Sequence, residues 1–338
     1  MKQLLGRKHF DTMLLESETP QPKNRQVLVR VTACGICGTD IELLRSSADY
    51  TPLGHEIAGV VEAVGRAVSS IKVGQRVVVE DISMCGRCTA CKCGKPELCK
   101  DGYTLGGQSG IADYLLVHEA MLNPFDGIDD ISACMAEPLA VAIGAVKQAN
   151  LPDYGSLLVF GAGAIGMFCA AEAKRRGAKQ VVMVAGSPRN PEHRLVPSQA
   201  MGACDLYYAK EGGYLQRLLD HHGPFDSAIV AAPPPLAADA LKALRYGGRV
   251  VPVGVSFRGN GKVELDICEL IFNKKSIVPF IAEPAQNFPL ALSLIQSKAI
   301  NVNSVITHKL TMDAHAQLHD LYQKDTTVIK AVIAKEEL

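Results

Sequence analysis

Short apolar runs of strand length dominate the first 120 residues of the chain. VLVRVTA at 27–33, IAGVVEAVG at 57–65, QRVVVE at 75–80 and ADYLLV at 112–117 are separated by glycine, proline and charged residues. Apolar runs bounded by such residues are typical of β-strands. This part of the chain is therefore predicted to form a compact β-rich barrel or sandwich.

The pattern changes at Glu137, after which strand-like runs alternate with helix-like stretches. PLAVAIGAVKQAN has helical spacing, and AIGMFCAAEAKRRG, YLQRLLDHH and PLAADALKALRYGG continue the helical pattern along the chain. Between them stand apolar runs as long as a buried strand, namely LLVF, QVVMVAG, CDLYY, FDSAIVAA, GRVVPVG and SIVPFI. Regular alternation of strand and helix predicts a doubly wound parallel sheet.

The end of the chain returns to a helix, FPLALSLIQSK, and a final strand, VIKAVIAK. This tail is too short to form a domain and is expected to complete the N-terminal one. The predicted α/β protein thus has a β-rich domain of residues 1–137 and 283–338 and a parallel-sheet domain of residues 138–282.

Composition and charge narrow the classes of function. Hydrophobic residues make up 48% of the 338 positions and charged residues 21%, as in ordinary globular proteins. Because 35 basic residues balance 35 acidic ones, no net field attracts nucleic acid or anionic lipid, and a small molecule is the expected partner. The N-terminus lacks the apolar core of a signal peptide, and Glu137 and Pro138 interrupt the alanine-rich stretch beside them. A cytoplasmic protein without a membrane span is expected.

A glycine-rich turn, GAGAIG, joins the run LLVF to a helical stretch. Gly161 permits a tight turn, Gly163 lets a pyrophosphate approach the backbone, and Gly166 lets the helix lie close to the strand. The start of the helix, at Ala164 and Ile165, attracts phosphates. The motif predicts a dinucleotide site, and a glycine-rich turn without a ligand is the alternative.

The identity of the nucleotide depends on the end of the second strand, where an acidic residue binds the ribose 2′-hydroxyl of NAD. Gly186 stands at this place, followed by Ser187, Arg189 and Arg194. Without a carboxylate, a 2′-phosphate meets no repulsion, and the arginines can contact it. NADP is therefore favoured, and NAD is the alternative if the basic residues only solvate a loop.

Four of the eleven cysteines follow the spacing CxxCxxCxxxxxxxC within residues 85–99, namely Cys85, Cys88, Cys91 and Cys99. Four thiolates complete the tetrahedral coordination of Zn²⁺ and leave no position for substrate, so a structural zinc ion is predicted. Cys93 is left as the spare thiol, and an exchange of Cys93 with Cys91 in the ligand set is the alternative. An iron–sulfur cluster or reactive thiols are the alternatives, because their cysteine spacings look alike.

A second metal site is indicated by residues far apart in the chain. GICGTD contains Cys37, PLGHE contains His55 and Glu56, and AEPLA contains Glu137. One thiolate, one imidazole and one carboxylate form a three-ligand set that leaves one zinc position open for water or substrate. Each residue alone is more often packed than ligating, whereas the set beside a nucleotide motif predicts a catalytic zinc ion.

In their order along the chain, GICGTD, GHE, the four-cysteine lobe, EPLA and GAGAIG resemble the zinc-dependent medium-chain dehydrogenases, most closely the sorbitol (polyol) dehydrogenase-like branch. The resemblance implies a GroES-like catalytic domain, a Rossmann domain, two Zn²⁺ per chain, and a homodimer or homotetramer. Cys37 and His55 are then ligands of the catalytic ion. Glu56 and Glu137 both lie near it, with Glu137 the expected ligand and Glu56 exchanging or acting through water.

The resemblance also assigns roles around the metal. Thr39 resembles the hydroxyl that accepts the alcohol proton, and it is also placed to cap the following helix. Asp40 is expected to orient the imidazole of His55, unless it is only a carboxylate at the helix start. Glu42 departs from the family pattern, because a proton-relay histidine often stands at this position in classical alcohol dehydrogenases.

The predicted function is the interconversion of a secondary alcohol (a polyol, sugar or cyclitol) and a ketone, with hydride transfer to or from NAD(P). A threonine 3-dehydrogenase-like enzyme, which shares GICGTD and GHE, is one alternative. A nonenzymatic zinc and nucleotide binding redox sensor is another, and the intact set of Cys37, His55, Glu56 and Glu137 counts against it.

Overall fold

Two compact units share the chain, and each has its own hydrophobic core. The first unit contains Met1–Ala140, Ala282–Lys298 and Ile306–Leu338, and the second contains Val141–Ile281 and Ala299–Val305. The computed structural model describes residues 1–187, 191–257, 259 and 261–335.

The strands are β1 (Lys2–Arg7), β2 (Asp11–Glu16), β3 (Gln26–Gly35), β4 (Thr51–Pro52), β5 (Glu56–Val64), β6 (Arg76–Val79), β7 (Ile82–Ser83), β8 (Tyr103–Thr104), β9 (Tyr114–His118), β10 (Leu122–Pro124), β11 (Ser156–Phe160), β12 (Gln180–Ala185), β13 (Asp205–Tyr208), β14 (Phe225–Val230), β15 (Leu244–Pro252), β16 (Ser276–Ile277), β17 (Ile306–Leu310) and β18 (Lys330–Ala334).

The α-helices are α1 (Gly38–Ser46), α2 (Thr89–Lys92), α3 (Asp130–Cys134), α4 (Ala136–Ala149), α5 (Ala164–Arg175), α6 (Glu192–Ala200), α7 (Tyr214–His222), α8 (Ala237–Lys242), α9 (Ile267–Phe272), α10 (Phe288–Gln296) and α11 (Leu318–Gln323). Short 3₁₀ helices lie at Lys8–Phe10, Pro96–Leu98, Glu119–Met121, Pro234–Leu236, Val302–Ser304 and Met312–Gln317.

The main sheet of the first unit pairs its strands in the order β10-β6-β5-β3-β18-β17, and β9 also pairs with β3. Along β3, Val27, Val29 and Val31 belong to the hydrophobic core, as alternation along a strand with one buried face requires. β18 lies antiparallel beside β3, with Ile333 opposite Cys34. β18, near the end of the described chain, therefore lies in the same sheet as the N-terminal strands, between β3 and β17.

The second unit contains a parallel sheet with the order β13-β12-β11-β14-β15-β16. Counted from β11, this is the strand order 3-2-1-4-5-6 of dinucleotide-binding folds. Residues 156–160 of β11 are all buried, because parallel strands covered on both faces need side chains that tolerate burial. The predicted fold class, a β-rich unit with a doubly wound parallel-sheet unit, is confirmed.

One predicted helix is wrong in its second half. PLAADALKALRYGG has helical spacing, but α8 ends at Lys242 and the chain continues as β15. The Phe225 N–H donates a 2.9 Å hydrogen bond to the Ala243 carbonyl, which begins the pairing with β14. Gly247 then adopts a φ of +77°, which a right-handed helix does not accommodate. Tertiary strand pairing overrides the local helical pattern here.

A search of the described ranges for a helix with the length and apolar character of a membrane span finds none.

Candidate active site

Asp40 fixes the two segments that carry Cys37 and His55. α1 begins directly after Cys37, and Asp40 Oδ2 accepts a 2.8 Å hydrogen bond from the Cys37 backbone N–H. Asp40 Oδ1 accepts another, also 2.8 Å long, from the backbone N–H of Gly54. Because Asp40 is 2% exposed, one buried carboxylate sets the positions of both segments.

Three of the predicted metal ligands come together in the first unit. Ligand atoms of Cys37, His55 and Glu56 all lie within 4.8 Å of one another. A thiolate, an imidazole and a carboxylate are donors that zinc accepts, and three protein donors leave one tetrahedral position open. The residues present therefore fit a catalytic zinc ion.

The surroundings of His55 are strongly anionic. Burial by itself lowers the pKa of this imidazole, but the charges of Cys37, Asp40 and Glu137 raise it well above the ordinary value. His55 Nδ1 lies 3.9 Å from Asp40 Oδ1, which is too long for a hydrogen bond. Asp40 thus acts on the imidazole through its charge and through the backbone before His55, not by direct hydrogen bonding. A divalent cation would neutralise the excess negative charge.

Glu56 is paired with a buried lysine. Lys330 Nζ lies 2.6 Å and 2.8 Å from the two carboxylate oxygens of Glu56, and it donates a 3.0 Å hydrogen bond to the Ile36 carbonyl. The side chains of Lys330 and Glu56 are 5% and 1% exposed. Burial is the largest single influence and lowers the pKa of Lys330, but the charges of Glu56 and Cys37 and the hydrogen bonds to Glu56 together outweigh it, so the pKa is raised. Lys330 therefore stays cationic and holds both oxygens of Glu56.

Glu137 is the second residue of α4 and is buried. Among the described residues it falls outside the 4.8 Å cluster, although its charge acts on His55. Burial is the main cause that raises the pKa of Glu137 well above its usual value, and the charges of Glu56 and Cys37 add to the rise. A nearby cation would reverse this shift.

The four-cysteine lobe forms a second cluster. The Sγ atoms of Cys85, Cys88, Cys91 and Cys99 all lie within 4.8 Å of one another. The backbone N–H groups of Arg87 and Cys88 donate to Cys85 Sγ and lower its pKa to about 6. Desolvation and a hydrogen bond with Cys88 raise the pKa of Cys91 to about 12. A bound cation would favour the ionised form of Cys91, and the four-thiol donor set fits a closed zinc site.

The glycine-rich turn has the geometry that a dinucleotide requires. Gly161 has a φ of +111°, and a Cβ there would lie 2.5 Å from the Ala231 carbonyl oxygen. A Cβ at Gly166 would collide with the Gly161 carbonyl oxygen. Open space surrounds the place where Gly163 would carry a Cβ, so the backbone is approachable there. These three glycines fit the close approach of a pyrophosphate.

The other predicted nucleotide contacts lie around this turn. Ala164 and Ile165 form the start of α5, where Gly163 has no side chain to cap the first N–H groups. Arg194 Nη1 lies 3.4 Å from the Ala162 carbonyl oxygen of the same turn. Ser187 follows the end of β12, and Arg189 lies outside the described residues.

Two family profiles match the chain. Residues 23–127 match the alcohol dehydrogenase GroES-like domain, and residues 164–297 match the zinc-binding dehydrogenase domain. The L-galactonate-5-dehydrogenase of Escherichia coli K12 is 31% identical over 338 residues, covering 94% of each chain. The chain belongs to the zinc-dependent alcohol dehydrogenases. The predicted family is confirmed, and with it the predicted enzyme class, an oxidoreductase that uses zinc and NAD(P).

Other dehydrogenases match over nearly the full length. The sorbitol dehydrogenase of Halalkalibacterium halodurans is 29% identical over 317 residues, which cover 91% of this chain and 90% of the relative. The solved structure of the alcohol dehydrogenase RspB from Escherichia coli CFT073, complexed with NADH, is 25% identical. It superposes with a TM-score of 0.88 over 99% of both chains.

In this zinc-dependent alcohol dehydrogenase, two carboxyls that belong to no sequence motif stand near His55. Asp81 and Glu283 flank a 2.9 Å backbone hydrogen bond from the Ala285 N–H to the Ile82 carbonyl. Burial raises the pKa of both, and the charge of His55 opposes the rise. Glu283 Oε2 is buried and has no hydrogen-bond partner in the described part of the structure. No local pattern identifies these two carboxyls, because their interaction with His55 depends on contacts between segments that are distant in the sequence.

Proposed function

We propose that this enzyme oxidises a secondary hydroxyl of a neutral polyol, sugar or cyclitol to a ketone, with NADP as the preferred hydride acceptor. The observation that carries the proposal is the convergence of Cys37, His55 and Glu56 at one point of the first unit. The glycine-rich turn of the second unit supplies the nucleotide site that the reaction needs. Relatives named for galactonate and sorbitol support a polyhydroxylated substrate.

Cys37, His55 and Glu137 are the proposed ligands of the catalytic zinc. When bound, zinc supplies a Lewis acid that lowers the pKa of an alcohol hydroxyl. Glu137 is preferred over Glu56 because Lys330 already pairs with both oxygens of Glu56. Burial pushes Glu137 toward its neutral form, and a cation is what would keep it ionised. Glu56 is the ligand that exchanges when it leaves Lys330.

Thr39 is the proposed first acceptor of the substrate proton. Its Oγ1 lies 3.7 Å from Cys37 Sγ, which places the hydroxyl beside the metal cluster. A hydroxyl can accept one proton while donating another, so it can pass the proton onward. Glu42 stands where a relay histidine is often found, and its carboxylate pairs with Arg45 at 3.4 Å.

The charges around His55 favour a neutral substrate over an anionic one. Glu137, Asp81 and Glu283 all interact electrostatically with His55, whereas Lys330 neutralises only Glu56. A substrate carboxylate or phosphate would add a further negative charge to this group. Carboxylates also accept hydrogen bonds from sugar hydroxyls, and the buried Glu283 Oε2 has no hydrogen-bond partner in the described part of the chain.

NADP is favoured by the chain around the end of β12. Gly186, exposed and without a side chain, replaces the acidic residue that would repel a 2′-phosphate. Arg194 reaches the glycine-rich turn and carries the positive charge that a phosphate needs.

Steady-state rates on a panel of alcohols with both nucleotides test these proposals together. We expect a neutral polyol or inositol to exceed the matching aldonate in kcat/KM by about tenfold, equivalent to about 1.4 kcal/mol. NADP should exceed NAD by a similar factor, because the 2′-phosphate gains Arg194 without meeting a carboxylate. Absence of turnover with every alcohol would overturn the proposed function. A preference for the aldonate would refute the proposal that the substrate is neutral. Rapid turnover of L-threonine alone would favour the amino-acid dehydrogenase.

A second, structural zinc is proposed for the four-cysteine lobe. Cys88→Ser should lose one of two zinc ions per chain, because a serine hydroxyl is not ionised at neutral pH. We expect the melting temperature to fall by roughly 6–10 °C, as for a loss of about 3 kcal/mol. The matched control is Cys93→Ser, since Cys93 is exposed and lies outside the cluster in the described structure. Unchanged zinc content and melting of Cys88→Ser would exclude a structural zinc.

A homodimer, or a tetramer built from it, is proposed from one face of the second unit. β16 ends the strand order of the parallel sheet, and large apolar side chains are exposed in the segments around it, including Tyr246, Phe257, Ile271 and Phe272. Exposed apolar groups beside a sheet edge are typical of an interface. Sedimentation equilibrium that returned a monomer would rule this out.

All eleven cysteines are free, which suits a reducing cytoplasm.

A further inference from the structure

The second unit contains a group of metal-binding side chains that the dehydrogenase reaction does not use. Asp205 begins β13, and His221 and His222 are the last two residues of α7. His222 Nε2 lies 3.2 Å from Asp205 Oδ2, and His221 Nδ1 lies 3.7 Å from the same oxygen. One ligand atom from each of the three residues lies within 4.8 Å of the other two.

Neighbouring groups orient two of these three side chains. His222 Nδ1 lies 2.6 Å from the amide nitrogen of Gln180, which leaves Nε2 as the imidazole nitrogen that faces Asp205. Rotating the Gln180 amide by 180° exchanges its nitrogen and oxygen, and the oxygen would then accept from a protonated Nδ1, as partners of metal-ligating histidines do. Asp205 Oδ1 accepts a 2.8 Å hydrogen bond from the Leu206 N–H, so Oδ2 is the oxygen turned toward the histidines. The His222 side chain is 8% exposed, which restricts its movement.

His221 completes the set from the solvent side. Its side chain is 70% exposed, and its ring centroid lies 4.4 Å from that of His222. The Tyr207 hydroxyl lies 3.2 Å from His221 Nδ1 and is the competing partner for this nitrogen. Rotation of an exposed imidazole away from a tyrosine requires little rearrangement. The third donor can therefore move by the small distance that a metal–nitrogen bond of about 2.0–2.1 Å demands.

A metal-free alternative explains part of the arrangement. Histidines at the end of a helix interact favourably with its dipole, and an aspartate nearby can simply pair with them. In the first unit, His308 and Asp325 form a simple histidine–aspartate pair, with His308 Nε2 and Asp325 Oδ2 3.2 Å apart. The cluster at Asp205 differs by its second imidazole. Two histidine nitrogens and one carboxylate oxygen converge there, whereas His308 and Asp325 offer one nitrogen and one oxygen.

We propose that Asp205, His221 and His222 bind a divalent transition-metal ion, Zn²⁺ in the first place, in addition to the two zinc clusters of the first unit. Imidazole donors select zinc, nickel or copper over Mg²⁺ and Ca²⁺, which take oxygen ligands. Three protein donors leave the ion open to water, so it exchanges more readily than zinc enclosed by four thiolates. The ion joins the end of α7 to the start of β13 and stabilises the folded second unit.

Zinc titration of the purified holoenzyme, followed by equilibrium dialysis and elemental analysis, tests the site. Wild type should take up one zinc per chain beyond the complement it retains in metal-free buffer. His221→Ala should bind this additional ion at least about tenfold more weakly. His221 is a surface residue, so the variant should fold, and the basal dehydrogenase rate of both proteins should be equal.

His308→Ala is the matched control, because it removes a histidine from a histidine–aspartate pair without a second imidazole. It should keep the additional ion. Co²⁺ in place of the added zinc gives a second readout: a site of nitrogen and oxygen donors lacks the thiolate charge-transfer absorption that replacement at the cysteines would produce. Failure of wild type to bind an additional ion, equal binding by His221→Ala, or a thiolate spectrum for the added Co²⁺ would each overturn the proposal.

Discussion

Replacing Cys37 by alanine is expected to abolish turnover while the protein stays folded. Cys37 lies in the cluster with His55 and Glu56, and its loss would remove the thiolate donor from the proposed three-ligand zinc site. We expect kcat/KM to fall about 10⁴-fold, which corresponds to about 5 kcal/mol of transition-state stabilisation. Elemental analysis should show one zinc per chain instead of two, with the zinc of the four-cysteine lobe retained.

The matched control for Cys37→Ala is Cys93→Ala. Cys93 is an exposed thiol, so its removal should leave both the zinc content and the rate unchanged. Melting of Cys37→Ala should stay close to wild type, because Asp40 keeps its hydrogen bond to the backbone of residue 37. Near-wild-type activity of Cys37→Ala with a full zinc complement would refute the assignment of this cluster as the catalytic zinc site.

Replacing Lys330 by methionine is expected to destabilise the first unit more than any surface substitution. The variant leaves the Glu56 carboxylate, 1% exposed, without the ammonium that lies 2.6 Å from it. Removing one partner of a buried ion pair costs about 3–5 kcal/mol, because the remaining charge stays uncompensated. Urea unfolding of the zinc-loaded enzyme, followed by circular dichroism, measures the change in the free energy of unfolding.

Lys335→Met provides the control. Lys335 directly follows β18, the strand that begins with Lys330, and it pairs with Asp113 at 3.8 Å in a partly exposed position. Exposed pairs contribute about 0–1 kcal/mol, so this variant should unfold near wild type. The double variant Lys330→Met with Glu56→Gln should recover part of the lost stability, since it removes the stranded charge. Equal stability of Lys330→Met and Lys335→Met would show that the buried pair makes no net contribution.

Local sequence patterns identified several features because these features depend on short stretches of chain. The glycine-rich turn is an example: the φ of Gly161 and the close packing at Gly166 are requirements of consecutive residues. The four-cysteine spacing is another, since all four thiols of this cluster come from one segment of fifteen residues, 85–99. In contrast, residues 244–248 have helical spacing but belong to β15. Their structure depends on pairing with β14, a strand that lies outside the stretch from which the helix is predicted.

The choice between the two candidate carboxylates shows where sequence reasoning ends. The family resemblance puts both Glu56 and Glu137 near the metal and makes Glu137 the expected ligand, but neither motif shows which groups surround the two carboxylates. In the structure their surroundings differ: Glu56 lies in the cluster with Cys37 and His55 and pairs with Lys330 through both oxygens, whereas Glu137 lies outside that cluster among the described residues. A lysine within the apolar run VIKAVIAK is ordinarily assigned to the surface, so its partner could not be inferred from its neighbours.

By itself the sequence determined the family, the alternation that specifies the parallel sheet, and the types of donor available for metal, because these properties reside in residue identity and short spacing. Only the tertiary structure decided which charges meet. Lys330 and Glu56 are 274 residues apart, and Asp81 and Glu283 come near His55 through a backbone contact between distant segments. Electrostatic interactions depend on distance and burial, and the folded chain sets both independently of separation along the sequence.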